Sequence, residues 1–501
     1  MSTSIFPTLL ALAALAAPLR AQQTLEAAPP SMELVFGHDS GPVANNTGLA
    51  QVVISFPVNV HSTPWMRLFF SRIELAGDPD AGTGSILRLT SIYDAEVQEL
   101  DARGVARWSN TSAYFNGDTV LVEVLAQPGT GANRIVLDRV TAGKSMQGTD
   151  FVCGADPRVA SFDGRGARLL PPGCTAWMIS DCATCFLSAG HCAAPNMIAQ
   201  FNVPPSQANG NLVHPPIEDQ FWIDSASVQS QSTGPGQDWM YLGAGVNNLG
   251  ETPMQHQLAR WGTMGPPPFS NQDVTRVTGY GTDIGADNQI QQTLLGNWIN
   301  LFANYSLFSN YVEGGNSGSP LIHESNGRAI GIVTHTSCIG GAQQNYATRL
   351  DQPNLVAALA NPQGVCVAAV CNAVGSGYCP TGPLMSVIAG TGSASVAAND
   401  LVLHANNVPS NKLGLFLYSR GKQSLPFGNS RLCVGGGGFP VRRLPTVNSG
   451  AGTTLTFALD QNALPGGDVF NAGEVIYFQA WFRVSTIANE TSNGLELLFG
   501  A

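Results

Sequence analysis

A glycine-flanked serine in residues 314–320 constrains this chain more than any other feature. The stretch is Gly-Gly-Asn-Ser-Gly-Ser-Pro and carries almost no side-chain bulk. Glycine tolerates positive φ angles and lets a ligand approach the backbone closely. Ser317 would then present its hydroxyl to open space, while the N–H groups of Gly315 and Ser317 converge on one point. The pattern indicates either a nucleophile beside an oxyanion hole or a simple Gly/Ser turn between two strands.

The composition around this stretch is typical of a β-rich extracellular protein with several domains. Charged residues make up 11% of the 501 residues, Gly and Pro number 56 and 32, and no long helical period is visible. A chain of this length is too long for one hydrophobic core. The formal net charge of −11 argues against nucleic acid as a partner, because binding phosphates requires a basic surface.

The amino terminus has the pattern of a secretory signal. Residues 6–19 are an apolar run, and Ala21 is a small residue suited to cleavage, so we predict a signal peptide at residues 1–21. The run is too short to span a bilayer comfortably, and no other stretch approaches transmembrane length. We therefore predict a secreted, extracellular protein without a membrane span.

The ten cysteines all lie at or after Cys153. An even number behind a signal peptide predicts disulfides formed in an oxidising compartment. Their absence from the earlier part of the chain also marks a domain boundary.

Residues 31–145 are predicted to form a first module. Four runs read as strands separated by turn residues at the spacing of a β-sandwich, namely 52–54, 86–90, 119–124 and 134–137. The module is either an accessory β-sandwich or a pro-region, and residues 143–149 resemble a linker. Four loop aspartates could line a calcium site, but scattered loop carboxylates are usually solvated: Asp78, Asp80, Asp94 and Asp118.

Residues 150–362 form a second predicted module, in which two further motifs precede Ser317. Residues 186–192 read as an apolar strand, a small-residue turn and then His191 beside Cys192, which suits a general base that must be held in place. Asp238 stands directly before an apolar strand, where a buried carboxylate could hold the second imidazole N–H. Weaker candidates for the acid precede no comparable strand: Asp219, Asp224 and Asp273.

The order His191, Asp238, Ser317 resembles that of the chymotrypsin-like serine endopeptidases. The segment Ser-Ala-Gly-His-Cys at 188–192 is similar to that family's Ala-Ala-His-Cys, with Gly190 replacing the second alanine. Residues 315–320 are similar to the version in bacterial glutamyl and lysyl endopeptidase relatives. The resemblance implies an all-β chain with a chymotrypsin-like double β-barrel protease domain, here flanked by two β-sandwich modules.

The resemblance also implies a role for each residue in peptide-bond hydrolysis through an acyl-enzyme. Ser317 attacks the carbonyl of a protein or peptide substrate, His191 takes its proton, and Asp238 fixes the histidine tautomer. The N–H groups of Gly315 and Ser317 stabilise the oxyanion, and no metal or cofactor is required. The alternatives are a catalytically silent, protease-like binding protein and an adhesive protein in which the flanking modules do the main work.

Two departures from the animal trypsin pattern limit what the resemblance implies. Asn316 replaces the aspartate that pairs with a newly cut amino terminus, so we predict that maturation does not use that switch. Tyr311 stands where trypsin-like specificity requires an acid, and Glu313 nearby is treated as a solvated rim carboxylate. Neither the lysyl nor the glutamyl pattern is met, because Gln344 precedes Tyr346 and Val333 follows Gly-Ile. The predicted pocket lining is Tyr311, Thr334, His335 and Thr336.

Five disulfides are predicted. The resemblance implies the pairs Cys174–Cys192 and Cys153–Cys338. The segment Cys182-Ala-Thr-Cys185 favours a local disulfide over half of a zinc site, because no second CxxC or histidine pair completes such a site. Proximity suggests the pair Cys366–Cys371, and Cys379 is expected to pair with Cys433 because they are the only cysteines of the last module.

Residues 375–501 are predicted to form a second β-sandwich. Short apolar runs alternate with Gly, Asn and Pro turns, and the segment loosely resembles a small β-module appended to secreted multidomain bacterial proteins. Trp481 and Phe482 could contact a carbohydrate or another surface, although strand aromatics more often pack in a core. The two terminal modules are therefore the candidates for surface or carbohydrate contact.

Overall fold

The structure is a computed structural model. It describes residues 23–24, 27–145, 153, 156–180, 185–257, 259–339, 342–367, 375–379, 386–428, 430–450, 453–485 and 488–500. The predicted signal peptide, the cysteines at positions 182 and 371, and most of the predicted linker after residue 145 lie outside this range. Within it, no helix combines the length and apolar character needed to cross a membrane.

The first region forms two antiparallel sheets. Strand β1 (Gln23–Thr24) lies apart from them, beside the second region. One sheet has the order β2-β10-β5-β8 with β3 beside β10, and the other the order β4-β9-β6-β7. The elements are β2 (Ser31–Asp39), β3 (Val43–Ala44), β4 (Gln51–Asn59), β5 (Trp65–Glu74), β6 (Ile86–Ser91), β7 (Val97–Leu100), α1 (Ala102–Arg107), β8 (Phe115–Asn116), β9 (Thr119–Ala126) and β10 (Ala132–Gly143). The four predicted strands all fall within these elements.

Alternating burial along β9 explains why this region folds as layers. Val120, Val122 and Val124 are fully buried, while the residues between them are half exposed. This period of two places one face of the strand in the core, as expected for a sheet with one covered side.

The second region contains the remaining strands up to residue 349 and two helices. They are β11 (Val159–Ala160), β12 (Gly166–Leu170), β13 (Cys174–Met178), β14 (Phe186–Ser188), β15 (Ile198–Gln200), β16 (Gln220–Ser232), β17 (Asp238–Ala244), α2 (Pro253–Gln257), β18 (Val274–Gly279), β19 (Gln292–Leu301), β20 (Tyr305–Phe308), β21 (Pro320–His323), β22 (Arg328–Ile339), β23 (Ala342–Arg349) and α3 (Pro353–Ala360).

These strands close into two antiparallel barrels. The first barrel has the order β12-β13-β14-β17-β16-β15 and is filled by side chains such as Trp177 and Phe186. The second runs β22-β21-β18-β19-β20-β23 and is closed by pairing of β22 with β23, around Trp298 and Phe308. This is the predicted chymotrypsin-like double β-barrel.

The third region is again built of antiparallel strands. It forms sheets of six, three and two strands. The elements are β24 (Ser376–Tyr378), β25 (Val387–Thr391), β26 (Val402–Asn406), β27 (Leu413–Ser419), β28 (Lys422–Phe427), β29 (Ser430–Val434), β30 (Arg442–Arg443), β31 (Val447–Asn448), β32 (Leu455–Ala458), β33 (Val475–Arg483) and β34 (Asn489–Leu498). Phe482 is fully buried in the core, which is the more common place for a strand aromatic, whereas Trp481 is only half buried.

One disulfide departs from the predicted pairing. The structure joins Cys153 to Cys338, Cys174 to Cys192 and Cys379 to Cys433. Cys185, however, is bonded to Cys366, at a sequence separation of 181, so the predicted pairs Cys182–Cys185 and Cys366–Cys371 are wrong. The reason is spatial. A methyl group at Gly243 on β17 would lie 2.6 Å from the Cys366 sulfur and 3.1 Å from the Cys185 sulfur, so both cysteines pack on that glycine.

Candidate active site

The turn that carries Ser317 lies between β20 and β21 and is hydrogen-bonded to β13. Thr175 donates its backbone N–H to the Ser317 carbonyl at 2.8 Å and its hydroxyl to the Gly315 carbonyl at 2.9 Å. Gly315 has φ +95°, and a Cβ there would lie 2.3 Å from the Tyr280 carbonyl oxygen. The turn therefore requires glycine on both conformational and steric grounds.

His191 lies in a single 3-10 turn, Gly190–Cys192, directly after β14. The Cys174–Cys192 disulfide joins this turn to β13, the strand that also holds the serine turn. A Cβ at position 190 would lie only 1.9 Å from the Gln231 carbonyl oxygen. This contact explains why glycine replaces the alanine of the family motif.

The structure brings His191, Asp238 and Ser317 together. The Ser317 Oγ lies 2.6 Å from His191 Nε2, and Asp238 Oδ2 lies 2.5 Å from His191 Nδ1. The other Asp238 oxygen accepts the His191 backbone N–H at 3.0 Å. Asp238 has no exposed surface, so its carboxylate is held by the imidazole and the backbone rather than by water.

The competing acids lie elsewhere. Asp219 accepts from Asn202 and pairs with His256. Asp224 accepts the Val365 N–H, and Asp273 pairs with His323.

Within the described part of the chain, the N–H groups proposed for an oxyanion hole have no hydrogen-bond acceptor. Among the hydrogen bonds of the described residues, neither the Gly315 nor the Ser317 backbone N–H serves as a donor, whereas the neighbouring N–H groups of Asn316 and Gly318 donate to Glu313 and Val333. Two unused donors beside a nucleophile are what a developing oxyanion requires.

Arg158 supports the same loop, and sequence reasoning missed it. Its Nη1 donates to Asn316 Oδ1 at 3.1 Å, and that oxygen also accepts the Glu313 N–H at 3.0 Å. The guanidinium is almost fully buried and forms an ion pair with Asp156. A pair of opposite charges two residues apart, in a chain with so few charges, was the available signal.

The four predicted pocket residues divide into two groups. Thr334, His335 and Thr336 lie on β22, and the Thr336 hydroxyl donates to Asn345 Oδ1 at 2.5 Å. Tyr311 donates its hydroxyl to Glu313 at 2.6 Å. Glu313 is buried, so the prediction of a solvated rim carboxylate is wrong. Burial and the Glu313 carboxylate both raise the pKa of Tyr311.

His335 lies against the triad. Its Nδ1 is 3.9 Å from Asp238 Oδ2, which is too long for a hydrogen bond, and its ring centroid lies 6.0 Å from that of His191. Burial lowers the pKa of His335, and the nearby His191 acts in the same direction against the opposing effect of Asp238. Burial therefore favours the neutral imidazole.

The amino-terminal residues lie beside this site. Strand β1 pairs antiparallel with β22, with Gln23 opposite Thr336 and Thr24 opposite His335. A few residues later, the Ala27 carbonyl accepts a hydrogen bond from Gln289 Nε2 at 2.5 Å.

Together the two barrels and the buried Ser–His–Asp arrangement define a chain with a serine-protease-like fold of the chymotrypsin type. No family model matches the chain, and no curated protein matches it. Solved structures do match. A Glu endopeptidase in complex with MPD has 14% identity, covers 42% of this chain and 97% of its own, and has a TM-score of 0.32.

Two further solved structures match to a similar extent. The thermostable serine protease AL20 from an extremophilic microorganism has 14% identity, with 40% of this chain and 99% of that chain covered, at a TM-score of 0.31. Human heparin binding protein has 15% identity, with 41% of this chain and 97% of that chain covered, at a TM-score of 0.32.

Proposed function

We propose that the protein is a secreted serine endopeptidase that hydrolyses peptide bonds through an acyl-enzyme intermediate. One observation carries the proposal: the two ring nitrogens of His191 lie within hydrogen-bond distance of Asp238 on one side and Ser317 on the other. A base placed between its nucleophile and its orienting acid is the requirement for activating a serine hydroxyl.

In the proposed reaction, Ser317 Oγ attacks the substrate carbonyl while His191 Nε2 takes the hydroxyl proton. The tetrahedral oxyanion is stabilised by the Gly315 and Ser317 N–H groups, each worth a factor of about 10²–10³ in rate. His191 then gives the proton to the leaving amine. Water loses a proton to His191 and attacks the acyl carbonyl. His191 then returns the proton to Ser317 Oγ as the acyl group leaves, which restores the enzyme.

The support of the serine loop fits an enzyme that needs no newly cut amino terminus. Asn316 is uncharged and already accepts a hydrogen bond from the interior cation Arg158. Because that cation is part of the chain, the loop can be ordered without an ammonium group created by cleavage.

The proposed secretion rests on the signal-like amino terminus and on the disulfides. Cys153–Cys338, Cys174–Cys192, Cys185–Cys366 and Cys379–Cys433 are all present within the described residues. Disulfides in this number persist in oxidising compartments and are rare in the cytosol of ordinary cells.

Covalent labelling with a fluorophosphonate probe tests the proposal. We expect labelling of the disulfide-intact protein and none of Ser317→Ala, because only an activated serine reacts. Ser319→Ala is the matched control, since Ser319 lies two residues away, is equally buried and belongs to the same turn. No labelling of the wild type, even when residues before Pro29 are removed, would leave a silent binding protein as the better description.

A further inference from the structure

We propose that the leading segment of this chain, defined as Gln23–Thr24 with residues 27–30, occupies the substrate groove of the proposed active site as an extended peptide and blocks it. The inference rests on the proposed function, because the segment would fill the groove in which that function places the substrate. Two separate contacts, one on each side of the pair His191 and Ser317 (the catalytic pair), support this inference.

The first contact is backbone pairing along the edge of β22. β1 adds to this strand in antiparallel register through Gln23–Thr336 and Thr24–His335. The β22 residue opposite Thr24 is the one whose imidazole lies 3.9 Å from Asp238. Addition of an extended segment to a free strand edge is a general mode of peptide recognition, in which main-chain hydrogen bonds supply the affinity.

The second contact lies on the other side of the site. A Cβ at Gly173 would lie 1.9 Å from the Ala27 carbonyl oxygen, so the segment's backbone passes directly over that glycine. Gln289 Nε2 donates to the same carbonyl at 2.5 Å. Gly173 immediately precedes Cys174, whose disulfide partner Cys192 is the neighbour of His191.

The two contacts bracket the catalytic pair. From Thr24 to Ala27 the chain takes three residue steps, which span at most about 11 Å when fully extended. One end of that short span is fixed beside the Asp238 side of the triad and the other beside the disulfide next to His191. Ser317 has no exposed surface, and the His191 side chain is only 5% exposed. A second peptide can therefore reach Ser317 only after the leading segment departs.

Covalent attachment makes such a block effective even when each contact is weak. A short flexible tether presents its own segment at an effective concentration of about millimolar. A segment that would bind poorly as a free peptide can thus fill the groove in the intact chain. Because the block depends on backbone pairing, it is sensitive to changes that remove N–H groups and insensitive to most side-chain changes.

The first experiment compares two double variants of the full chain. Gln23→Pro with Thr24→Pro removes the N–H groups of β1, whereas Gln23→Ala with Thr24→Ala keeps them. We expect the proline pair to react with fluorophosphonate about tenfold faster than wild type, the value of roughly one net backbone hydrogen bond. The alanine pair should react at the wild-type rate. Equal rates for both variants and the wild type would overturn the proposal.

The second experiment needs no catalysis. The protein trimmed to begin at Pro29 and carrying Ser317→Ala is titrated with a synthetic peptide of residues 22–30, followed by calorimetry. We expect saturable binding that is weakened about tenfold by the two prolines and unchanged by the two alanines. Absence of binding, or equal binding of the proline and alanine peptides, would overturn the docking.

The two proposals fail in different ways. If no variant is labelled but the peptide still binds with the expected proline sensitivity, the docking proposal is supported and the peptidase proposal is wrong. If every variant is labelled equally fast and the peptide does not bind, the peptidase stands and the docking is wrong.

Discussion

The two flanking β-regions meet the double barrel in different ways. The first region shares a hydrophobic core with the first barrel, where Leu170, Ile198 and Ile217 belong to the same buried cluster as Trp65 and Phe115. The third region has a core formed by its own residues, and it meets the barrels through an ion pair between Arg328 and Glu496. Both regions are β-rich and similar in length, yet one shares its core with the double barrel and the other is attached to it through a surface contact.

Buried hydrogen bonds also connect the first region to the first barrel. Gln220 on β16 accepts the Tyr114 N–H at 3.0 Å and donates to the Tyr114 carbonyl at 2.9 Å. Asn116 and His214 exchange a similar pair of hydrogen bonds. Paired hydrogen bonds inside a common core are costly to expose. We therefore propose that the first region is a permanent part of the proposed enzyme and not a removable pro-region.

Deletion of the first region and deletion of the third region should have the most different effects on solubility. Removing residues 31–145 would expose the apolar surface around Leu170 and Ile198, so we expect no soluble barrel domain. A chain ending at Asn372, which retains Cys371, should remain soluble and keep its fluorophosphonate labelling. Size-exclusion chromatography of both secreted products checks this. A soluble, folded chain without the first region would contradict the shared-core interpretation.

Single substitutions at the two interfaces should differ in the same direction. Gln220→Leu leaves both backbone groups of Tyr114 unpaired in the interior and should lower the free energy of unfolding by about 3 kcal/mol. Glu496→Gln, the matched change at the other interface, removes partly exposed ion pairs with Arg328 and Lys422 and should cost about 1 kcal/mol or less. Urea titration of the two variants measures both values. Similar losses would show that the two interfaces are equivalent.

Acid should weaken the first interface because of His214. Burial, together with the charge of Arg168, holds the pKa of His214 well below its ordinary value. The unfolded chain therefore binds a proton that the folded chain does not. The contribution is fully present above about pH 6.5 and falls by about 1.4 kcal/mol for each pH unit below it, until the pKa of the folded state is reached.

The control for this pH dependence lies in the third region. His214→Gln should flatten the fall in melting temperature between neutral and mildly acidic pH. Burial also lowers the pKa of His404, although not as far, so His404→Gln should change the profile less. An unchanged profile in His214→Gln would assign the acid sensitivity to other groups.

Local patterns were sufficient to predict the strands and to single out His191, Asp238 and Ser317, because each lies in a motif only a few residues long. Contacts between distant parts of the chain were not predictable in this way. The bond between Cys185 and Cys366 joins residues 181 positions apart, and nothing near either cysteine specifies the other. The pairing of β1 with β22 and the core shared through Leu170 are likewise decided by three-dimensional packing.

The buried Arg158 has a consequence for how such an enzyme can be organised. A protease whose catalytic loop is ordered by a newly formed amino terminus requires cleavage of the chain before that terminus. Here the positive charge that reaches Asn316 comes from a side chain in the interior. In the proposed enzyme the polypeptide can therefore continue without a cut from the first β-region into the barrels. The first region and the first barrel can then share one hydrophobic core.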